Sequence, residues 1–336
     1  MISAIPPFRP TPQPASGFSQ ADLLSIQDLS PSDVREIFDL ARMIKSRPSM
    51  FQGALAGKQF VLMFEKPSLR TRITFEVGIT KLGGHAMFME YGAGGIEGRE
   101  KLADVAHNLE RWVDGVILRT FKHSTVTGMA QHAAVPVINA LTDLEHPCQA
   151  LADYFTLQEH FGDVSRLKLA FVGDGNNVAH SLMLTAAALG SKFSLATPAG
   201  YGPDKSVVKV AQKMAAKTGA SIEITNDSAV AVAGADAVYT DVWASMGQES
   251  EAAARAAIFR DFQVNRGLMK LAAPHAVFMH CLPAHRGDEV TDEVLDSPQA
   301  VVFDEAENRL HVQNAILVLL ASQGKRAPSK LRTAHA

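Results

Sequence analysis

The sequence is poor in cysteine, in long apolar runs and in clustered charge. It has two cysteines, Cys148 and Cys281, in 336 residues, whereas small secreted domains are rich in disulfides. No apolar run reaches the roughly 18 residues that a membrane-spanning helix needs. The 35 acidic and 32 basic residues are not gathered into blocks of one sign. We therefore expect free thiols, a cytoplasmic location, no membrane partner and no nucleic-acid partner.

The N-terminal segment also lacks helical periodicity and positive charge. Residues 1–20 contain five prolines and one basic residue, Arg9. A secretory signal needs a charged stretch followed by an apolar one, and a transit peptide is rich in arginine. We expect a tail that is disordered or held against the surface, with a transit peptide as the weaker alternative.

In the rest of the chain, short apolar runs alternate with segments of helical periodicity. Ser30-Pro31 predicts a helix start, and Gln59–Phe64 and Leu167–Val172 are typical of buried parallel strands. The pattern pauses at Gly162 and then begins again. This alternation predicts an α/β fold with two doubly wound parallel-sheet domains.

Two elements are expected near the C-terminus. Val301–Phe303 is a short β-branched and aromatic run, which favours a strand. Further on, Gln313–Ser322 has the apolar spacing of a helix.

Hydroxyl and guanidinium groups follow the strand predicted at Gln59–Phe64. In Glu65-Lys66-Pro67-Ser68-Leu69-Arg70-Thr71-Arg72 they fall at the first turn of a predicted helix. Free backbone N–H groups and the helix dipole favour an anion there, and Arg70 offers a planar fork of donors for phosphate oxygens. The loop is a candidate phosphate site, and a capped helix with solvated arginines is the alternative.

Three further strings place polar groups at the ends of predicted strands. His146-Pro147-Cys148-Gln149 opens a helix and directs His146 and Gln149 to one side of it. His280-Cys281-Leu282-Pro283-Ala284-His285 follows another strand. Asp241-Val242-Trp243-Ala244-Ser245-Met246-Gly247 offers a carboxylate for an amine and a hydroxyl for a zwitterion.

Two cofactor interpretations of these strings fail on spacing. His280, Cys281 and His285 are potential zinc ligands, but their spacing fits no standard pattern and a fourth ligand is missing. Gly173-Asp174-Gly175 resembles a dinucleotide fingerprint, but Val178 occupies the third glycine position and the acidic residue after the second strand is absent. We predict no metal and no cofactor. A nucleophilic Cys281 stays open as an alternative.

Five motifs, in order, resemble those of the aspartate/ornithine carbamoyltransferase family across most of residues 22–322. Ser68–Arg72 is similar to the family's Ser-Thr-Arg-Thr-Arg, with Leu69 in place of threonine. The other four similarities are His146–Gln149 to His-Pro-x-Gln, Asp241–Gly247 to Asp-x-x-x-Ser-Met-Gly, His280–Pro283 to His-Cys-Leu-Pro, and Glu307–Arg309 to Glu-Asn-Arg.

The resemblance implies transfer of a carbamoyl group from carbamoyl phosphate to the δ-amine of L-ornithine. The products would be L-citrulline and phosphate, in arginine biosynthesis or, in reverse, in arginine catabolism. It implies a carbamoyl-phosphate-binding domain at 1–150, with a C-terminal helix at 311–336 packing back on it, and an ornithine-binding domain at 151–310. It also implies an active site in the cleft between the domains, and a homotrimer or a multiple of one.

Each substrate is assigned residues by the same resemblance. The residues implied for carbamoyl phosphate are Ser68, Leu69, Arg70, Thr71, Arg119, His146, Gln149, Cys281, Leu282 and Arg309. Those implied for ornithine are Asn177, Asp241, Ser245 and Met246. The catalytic roles would belong to Arg70, His146, Cys281 and Arg309. Leu69 lacks the threonine hydroxyl but keeps the backbone amide, and no His or Gln in Gly94–Glu100 is evident for a neighbouring subunit's site.

Two alternatives to ornithine carbamoylation are open. One is the same chemistry on putrescine, N-acetylornithine or N-succinylornithine, against which the Ser-Met-Gly string and Asn177 favour a free α-amino acid. The other is a non-catalytic paralogue that binds partners, which the presence of Arg70, His146, Cys281 and Arg309 disfavours.

Overall fold

The computed structural model describes residues 17–92, 94–244, 249–324 and 326. The strands in these ranges are β1 Gln59–Phe64, β2 His85–Glu90, β3 Gly115–Arg119, β4 Val137–Leu141, β5 Lys168–Val172, β6 Lys192–Ala196, β7 Ser221–Thr225, β8 Ala237–Thr240 and β9 Val277–His280. The α-helices are α1 Pro31–Ser46, α2 Leu69–Lys81, α3 Leu102–Trp112, α4 His123–His132, α5 Pro147–Phe161, α6 Asn177–Leu189, α7 Lys205–Thr218, α8 Ser228–Val232, α9 Ala252–Phe259, α10 Arg266–Met269, α11 Asp292–Leu295 and α12 Val302–Ser322. Short 3-10 helices lie at Ile26–Asp28, Pro48–Phe51, Ile96–Gly98, Glu249–Glu251 and Arg260–Phe262.

The start of α1 shows how local sequence sets an element boundary. Ser30 Oγ accepts a hydrogen bond from the Asp33 N–H (3.1 Å), and the Asp33 carboxylate accepts one from the Ser30 N–H (2.8 Å). This capping box satisfies two backbone donors that the helix itself cannot pair. The predicted helix start at Ser30-Pro31 is therefore confirmed.

Both sheets are parallel, and in each sheet later strands lie on both sides of the first strand. The strand order is β2-β1-β3-β4 in the first sheet and β7-β6-β5-β8-β9 in the second. The chain order therefore reverses between β1 and β3, and again between β5 and β8. Ligands of open parallel sheets bind at such switch points, beyond the carboxyl ends of the strands. The predicted fold class is confirmed.

The strand predicted at Val301–Phe303 is wrong. Val301 is the residue before α12, which runs without a break from Val302 to Ser322, so the helix predicted from Gln313 begins about three turns earlier. Ala300 makes only an isolated bridge to Phe278. Three apolar residues cannot distinguish a strand from the first turn of a helix, and Phe303 is 78% exposed.

Helix α12 connects the two halves of the molecule. It packs mainly against α5, α1 and α2, and its N-terminal part also contacts β9 of the second sheet. One buried apolar cluster runs through both sheets, including Phe60 in β1 and Phe171 in β5. The predicted domain limits at residues 150 and 310 stay predictions. No helix in the described part of the chain is both long enough and apolar enough to cross a membrane.

Candidate active site

A cavity of about 340 Å³ lies where the carboxyl ends of the two sheets face each other. The loop after β1 and the end of β3 contribute from the first sheet, and the loops after β5, β8 and β9 contribute from the second. Its lining residues are Lys66, Pro67, Ser68, Leu69, Arg70, Thr71, Arg119, Leu141, His146, Gln149, Asn177, Val178, Asp241, Val242, Cys281, Leu282, Pro283 and Arg309. The volume is within the range of small-molecule sites.

One wall of the cavity is cationic. Ser68 Oγ accepts a hydrogen bond from the Thr71 N–H (3.2 Å) and so caps α2, whose first turn carries Arg70. Arg119, the buried last residue of β3, lies close enough for its charge to act on both Arg70 and Arg309. Burial, then Arg309 and Arg70, lower the pKa of Arg119 to about 10. An anion would relieve this crowding of positive charge.

Lys66 adds a fourth cation that the sequence analysis did not select. Its side chain is 8% exposed, and its Nζ lies 4.5 Å from the centre of the Phe121 ring. Burial, and then the charge of Arg119, lower the pKa of Lys66. The cation–π contact holds the ammonium group at the cavity, and Lys66 makes no ion pair with an acid among the residues that the structure describes.

The corner of the cavity where α12 meets α5 and α2 contains His146, Gln149 and Arg309. Arg309 donates to Gln149 Oε1 (2.5 Å) and to Thr71 Oγ1 (2.9 Å), and so joins α12 to α5 and α2. Burial, followed by the charges of Arg309 and Arg119, holds the pKa of His146 well below its usual range. The imidazole is therefore neutral and offers a hydrogen bond without adding charge.

The wall that belongs to the second sheet carries a fixed carboxylate. Asp241 Oδ1 accepts hydrogen bonds from the Cys281 thiol (3.0 Å) and from the Val242 N–H (2.8 Å), and Oδ2 accepts one from Asn176 Nδ2 (2.8 Å). Asn177 donates to the Thr142 carbonyl across the cleft (2.6 Å). This wall therefore suits a ligand with an amine, facing the cationic wall that suits a phosphate.

The Cys281 thiol is built to donate a hydrogen bond. Burial, followed by the charge of Asp241 and the hydrogen bond to it, raises the pKa of Cys281 well above its usual range. A nucleophilic cysteine needs the thiolate, and positive surroundings that lower its pKa. The geometry therefore disfavours the covalent alternative.

The same neighbourhood contains three potential metal ligands. Among the described residues, Asp241, His280 and Cys281 have ligand atoms within 4.8 Å of one another. However, His280 Nδ1 accepts the Leu282 N–H (2.9 Å) and its Nε2 is paired with Glu289 (3.1 Å). Both ring nitrogens are engaged and the thiol is protonated, so these residues do not fit a zinc ion.

The glycine turn after β5 is enclosed by the chain itself. A Cβ on Gly175 would lie 2.3 Å from the backbone nitrogen of Pro203, and Asp174 forms an ion pair with Arg255 (2.9 Å). The backbone of residues 202–203 therefore occupies the side of the turn that a pyrophosphate would approach in a dinucleotide-binding protein.

Family models match nearly the whole of this two-domain arrangement. The carbamoyl-P binding domain of aspartate/ornithine carbamoyltransferase matches residues 21–159, and the Asp/Orn binding domain matches residues 165–320. The chain belongs to the aspartate/ornithine carbamoyltransferase family. Its resemblance to that family, first seen in five short motifs, is confirmed.

Individual relatives of this carbamoyltransferase chain agree over most of their length. An ornithine carbamoyltransferase from Pyrococcus abyssi is 51% identical, over 89% of this chain and 95% of its own. A solved structure of the ornithine carbamoyltransferase from Pyrococcus furiosus is 50% identical, covers 90% of this chain and 98% of its own, and has a TM-score of 0.86. A mutant N-acetyl-L-ornithine transcarbamylase structure is 34% identical, covers 89% and 99%, and has a TM-score of 0.80.

Twelve of the fourteen residues that were assigned to substrates from the sequence line this same cavity. Ser245 and Met246 lie outside the described residues. Lys66 and Asn176 were not selected from the sequence, although Lys66 stands in a quoted string and Asn176 directly precedes the selected Asn177. Asp153 and Glu305, which lie behind Gln149, were not selected either. Each is one helical turn from a selected residue, Gln149 or Arg309, and this spacing was the available signal.

Proposed function

We propose that this chain transfers the carbamoyl group of carbamoyl phosphate to the δ-amine of L-ornithine, giving L-citrulline and phosphate. The observation that carries the proposal is a single cavity with a cationic wall from the first sheet and an Asp241–Asn177 wall from the second. The relatives at about half identity bear the name ornithine carbamoyltransferase, in keeping with this assignment.

Carbamoyl phosphate binds first, with its phosphate on the cationic wall. The proposed ligands are Ser68, the Leu69 N–H, Arg70, Thr71 and Arg119. The helix dipole of α2 and the crowded guanidinium groups favour a dianion at this place. Because the anion offsets their mutual repulsion, its binding prepares the cavity for the second substrate.

The carbamoyl end is polarised by donors that are already fixed. Arg309 and neutral His146 donate to the carbonyl oxygen, Gln149 holds the amino group, and the Cys281–Leu282 loop closes the far side. Charge that develops on the oxygen during attack is stabilised by donors that need no reorganisation, which is usually the largest catalytic contribution.

Ornithine binds on the wall that belongs to the second sheet. Asn177 is assigned to the α-carboxylate of ornithine and Asp241 to its δ-amine. Ser245 and Met246 are assigned to the remaining contacts with the zwitterion. The amine has a pKa of about 10.4 in water if it behaves like that of lysine, and only its neutral form can attack. Its nitrogen forms a bond to the carbonyl carbon, the C–O bond to phosphate breaks, and the leaving phosphate takes the amine proton.

A citrulline assay across several amines tests this proposal. Purified protein with carbamoyl phosphate should carbamoylate L-ornithine at least about a hundredfold more efficiently than putrescine, N-acetyl-L-ornithine or N-succinyl-L-ornithine, because each of these lacks one charge that the cavity binds. If another amine were preferred, that amine would replace ornithine as the proposed substrate. If no amine gave a product, the chain would be a non-catalytic paralogue.

We also propose a homotrimer, located in the cytoplasm. In support, α2 presents an exposed apolar stripe of Leu69, Ile73 and Val77, and the adjacent edge strand β2 exposes Met87 and Met89. A contiguous apolar face of this kind is typical of a subunit interface. Light scattering after gel filtration should give three times the 36.1 kDa mass of the chain, or a multiple of that. A monomer would contradict the assembly.

The domain assignment belongs to the same proposal. Residues 1–150, with 311–336, would bind carbamoyl phosphate, and residues 151–310 would bind ornithine. In support, the cationic wall comes from loops of the first sheet and the Asp241 wall from loops of the second.

A further inference from the structure

Two carboxyl groups lie side by side behind Gln149, outside the cavity lining. Asp153 is one turn after Gln149 on α5, and Glu305 is one turn before Arg309 on α12. Both side chains are fully or almost fully buried, with exposures of 0% and 1%. Such groups are costly to bury unless they are paired, and none of the roles proposed so far uses them.

The pair is connected to three elements by hydrogen bonds. Gln149 Nε2 donates to Asp153 Oδ1 (2.8 Å) and to Glu305 Oε1 (2.9 Å). Glu305 Oε1 also accepts the Tyr239 hydroxyl (3.1 Å) from β8, and Glu305 Oε2 accepts the His280 N–H (3.1 Å) from β9. Glu305 therefore accepts three hydrogen bonds, two at Oε1 and one at Oε2.

The two carboxyl groups are adjacent, because both accept a hydrogen bond from the one Gln149 nitrogen. Asp153 Oδ2 is buried and has no hydrogen-bond partner among the described residues, so it is the oxygen that can carry a proton. Burial raises the pKa of Asp153 to about 7, and burial together with the Asp153 charge raises that of Glu305 well above its usual range. The pair therefore keeps one proton at neutral pH, as two adjacent carboxylates generally do.

This arrangement fixes the orientation of the Gln149 amide, that is, the positions of its nitrogen and its oxygen. Both hydrogens of Nε2 are directed to the carboxyl pair, and Oε1 accepts the Arg309 N–H. The reversed amide would direct its N–H groups at the Arg309 donor and its oxygen at the acidic pair, so it is excluded. The Gln149 oxygen, with a second lone pair, is thereby held at the cavity as an acceptor.

We propose that Asp153 and Glu305 are positioning residues that lock the Gln149 amide, so that the cavity favours an acyl phosphate whose acyl group carries an N–H donor. This inference rests on the proposed function and deepens it: the pair would select the amino group of carbamoyl phosphate against acyl phosphates with a methyl group in its place. A site with a fixed acceptor leaves that acceptor unpaired when such an analogue binds.

The test measures Kd by calorimetry for carbamoyl phosphate and for acetyl phosphate, which has a methyl group where the amino group stands. Asp153→Ala removes one of the two acceptors that hold the Gln149 amide and leaves Glu305 without its carboxyl partner. Carbamoyl phosphate binding should therefore weaken by about tenfold or more, the value of one hydrogen bond to a charged network. Acetyl phosphate, which makes no use of the fixed oxygen, should bind within about twofold of its wild-type Kd.

Two isosteric variants separate positioning from packing. Asp153→Asn should restore binding to within about threefold, because its N–H can donate to an ionised Glu305 and its oxygen can still accept from Gln149. Glu305→Gln should behave like Asp153→Ala, because its amide nitrogen would face a donor in place of an acceptor. Asp33→Asn, at a buried carboxyl in the α1 capping box, is the control and should leave both constants unchanged.

Three results would overturn the inference: equal loss of both ligands in Asp153→Ala, a Glu305→Gln variant that binds normally, or an Asp153→Asn variant as weak as Asp153→Ala. If Asp153→Ala does not fold, the opposite outcomes of the Asn and Gln variants decide alone. The binding constants need no ornithine, so a wild-type protein that forms no citrulline would refute the proposed function and leave this test intact.

Discussion

At the scale of single residues, the cavity contains charge that is arranged before any substrate arrives. Arg119 and Arg309 are buried beside each other, and burial lowers the pKa of each. Burial and the charges of both arginines keep His146 neutral. Since a dianion would offset the repulsion between the two guanidinium groups, the unliganded protein is already organised for an acyl phosphate.

Arg70→Ala tests the phosphate role. The variant should raise the KM for carbamoyl phosphate and lower kcat/KM by at least about a hundredfold, because a charge-assisted pair of hydrogen bonds is lost. Citrulline formation at varied carbamoyl phosphate concentration is the measurement. Arg42→Ala, which removes a guanidinium paired with Asp39 on α1, is the control, and wild-type kinetics in Arg70→Ala would remove the role.

Cys281→Ser separates an orienting thiol from a nucleophile. Serine can still donate to Asp241, so kcat should stay within about a hundredfold of wild type, whereas loss of a covalent nucleophile costs about 10⁶-fold. Intact-protein mass spectrometry of acid-quenched wild type with carbamoyl phosphate should detect the unmodified mass. A carbamoyl adduct on Cys281 would revive the covalent mechanism.

The sequence could supply residues that belong to contiguous strings, but not those defined by contacts between strings. Arg70, His146 and Asp241 each stand in a recognisable motif at a strand end, and so they were predicted. Asp153 and Glu305 matter only because α5 and α12 lie side by side, and 152 positions separate them in the chain. Lys66 lies within a quoted string, yet its role depends on the distant Phe121 ring.

At the scale of elements, the N-terminus of α6 connects helix stability to the acceptor site. The Asn176 side chain accepts hydrogen bonds from the Val178 and Ala179 N–H groups, and its Nδ2 donates to Asp241. One residue therefore caps the helix and orients the carboxylate that is proposed to receive the amine.

Asn176→Ala and Asn176→Asp should separate these two roles. The alanine variant loses the cap, which costs about 1 kcal/mol in the free energy of unfolding, and its KM for ornithine should rise. The aspartate variant keeps the cap but places a second carboxylate against Asp241, so stability should be retained while the KM for ornithine rises about tenfold. Urea unfolding and citrulline kinetics provide the two measurements.

The control for the cap lies on another helix. Asp227 accepts the Ala229 and Val230 N–H groups at the start of α8 and does not line the cavity. Asp227→Ala should cost a similar free energy of unfolding and leave the KM for ornithine at its wild-type value. If Asn176→Asp also keeps the wild-type KM, the orienting role of Asn176 is refuted.

Elements were predictable where local signals and burial agree. β1 has the predicted bounds, Gln59–Phe64, because an almost fully buried apolar run favours a strand. α1 begins at the predicted Ser30-Pro31, because the capping box fixes its first turn. Val301–Phe303 failed because the choice depends on α12 continuing across the cleft, which the local sequence does not encode.

At the scale of the whole molecule, Glu145 connects three separate segments. Its carboxyl accepts hydrogen bonds from Ser25 Oγ and the Ile26 N–H near the N-terminus, and from Ser181 Oγ on α6. Ser181 in turn accepts the His146 N–H (2.8 Å). Burial raises the pKa of Glu145 to about 7, so the folded protein favours the neutral acid.

The free energy of unfolding should therefore decrease as the pH rises, because Glu145 loses its proton in the folded protein. Between its unfolded pKa of 4.5 and its folded pKa of about 7, the folded state binds the extra proton, so raising the pH across this window destabilises it. Glu145→Gln removes the titration, and its stability relative to wild type should improve by up to about 3 kcal/mol from pH 4.5 to pH 8.

The measurement is urea unfolding of both proteins at several pH values. Asp33→Asn serves as a control of opposite sign. Burial raises the pKa of Asp33, but hydrogen bonds from Ser30, Gln20 and Ser19 together outweigh it, so the net shift is downward. Its stability difference from wild type should stay constant between pH 5 and pH 8. A difference between Glu145→Gln and wild type that is independent of pH would contradict the buried neutral acid.

The position of Arg309 in the last described helix has a consequence for synthesis. A ribosome makes the phosphate loop at Ser68 and the His146 corner long before it makes α12. Neither the Arg309 guanidinium nor the Glu305 carboxyl exists until α12 has been translated. A nascent chain that ends before α12 therefore has the phosphate loop but not the donor that joins Gln149 to Thr71.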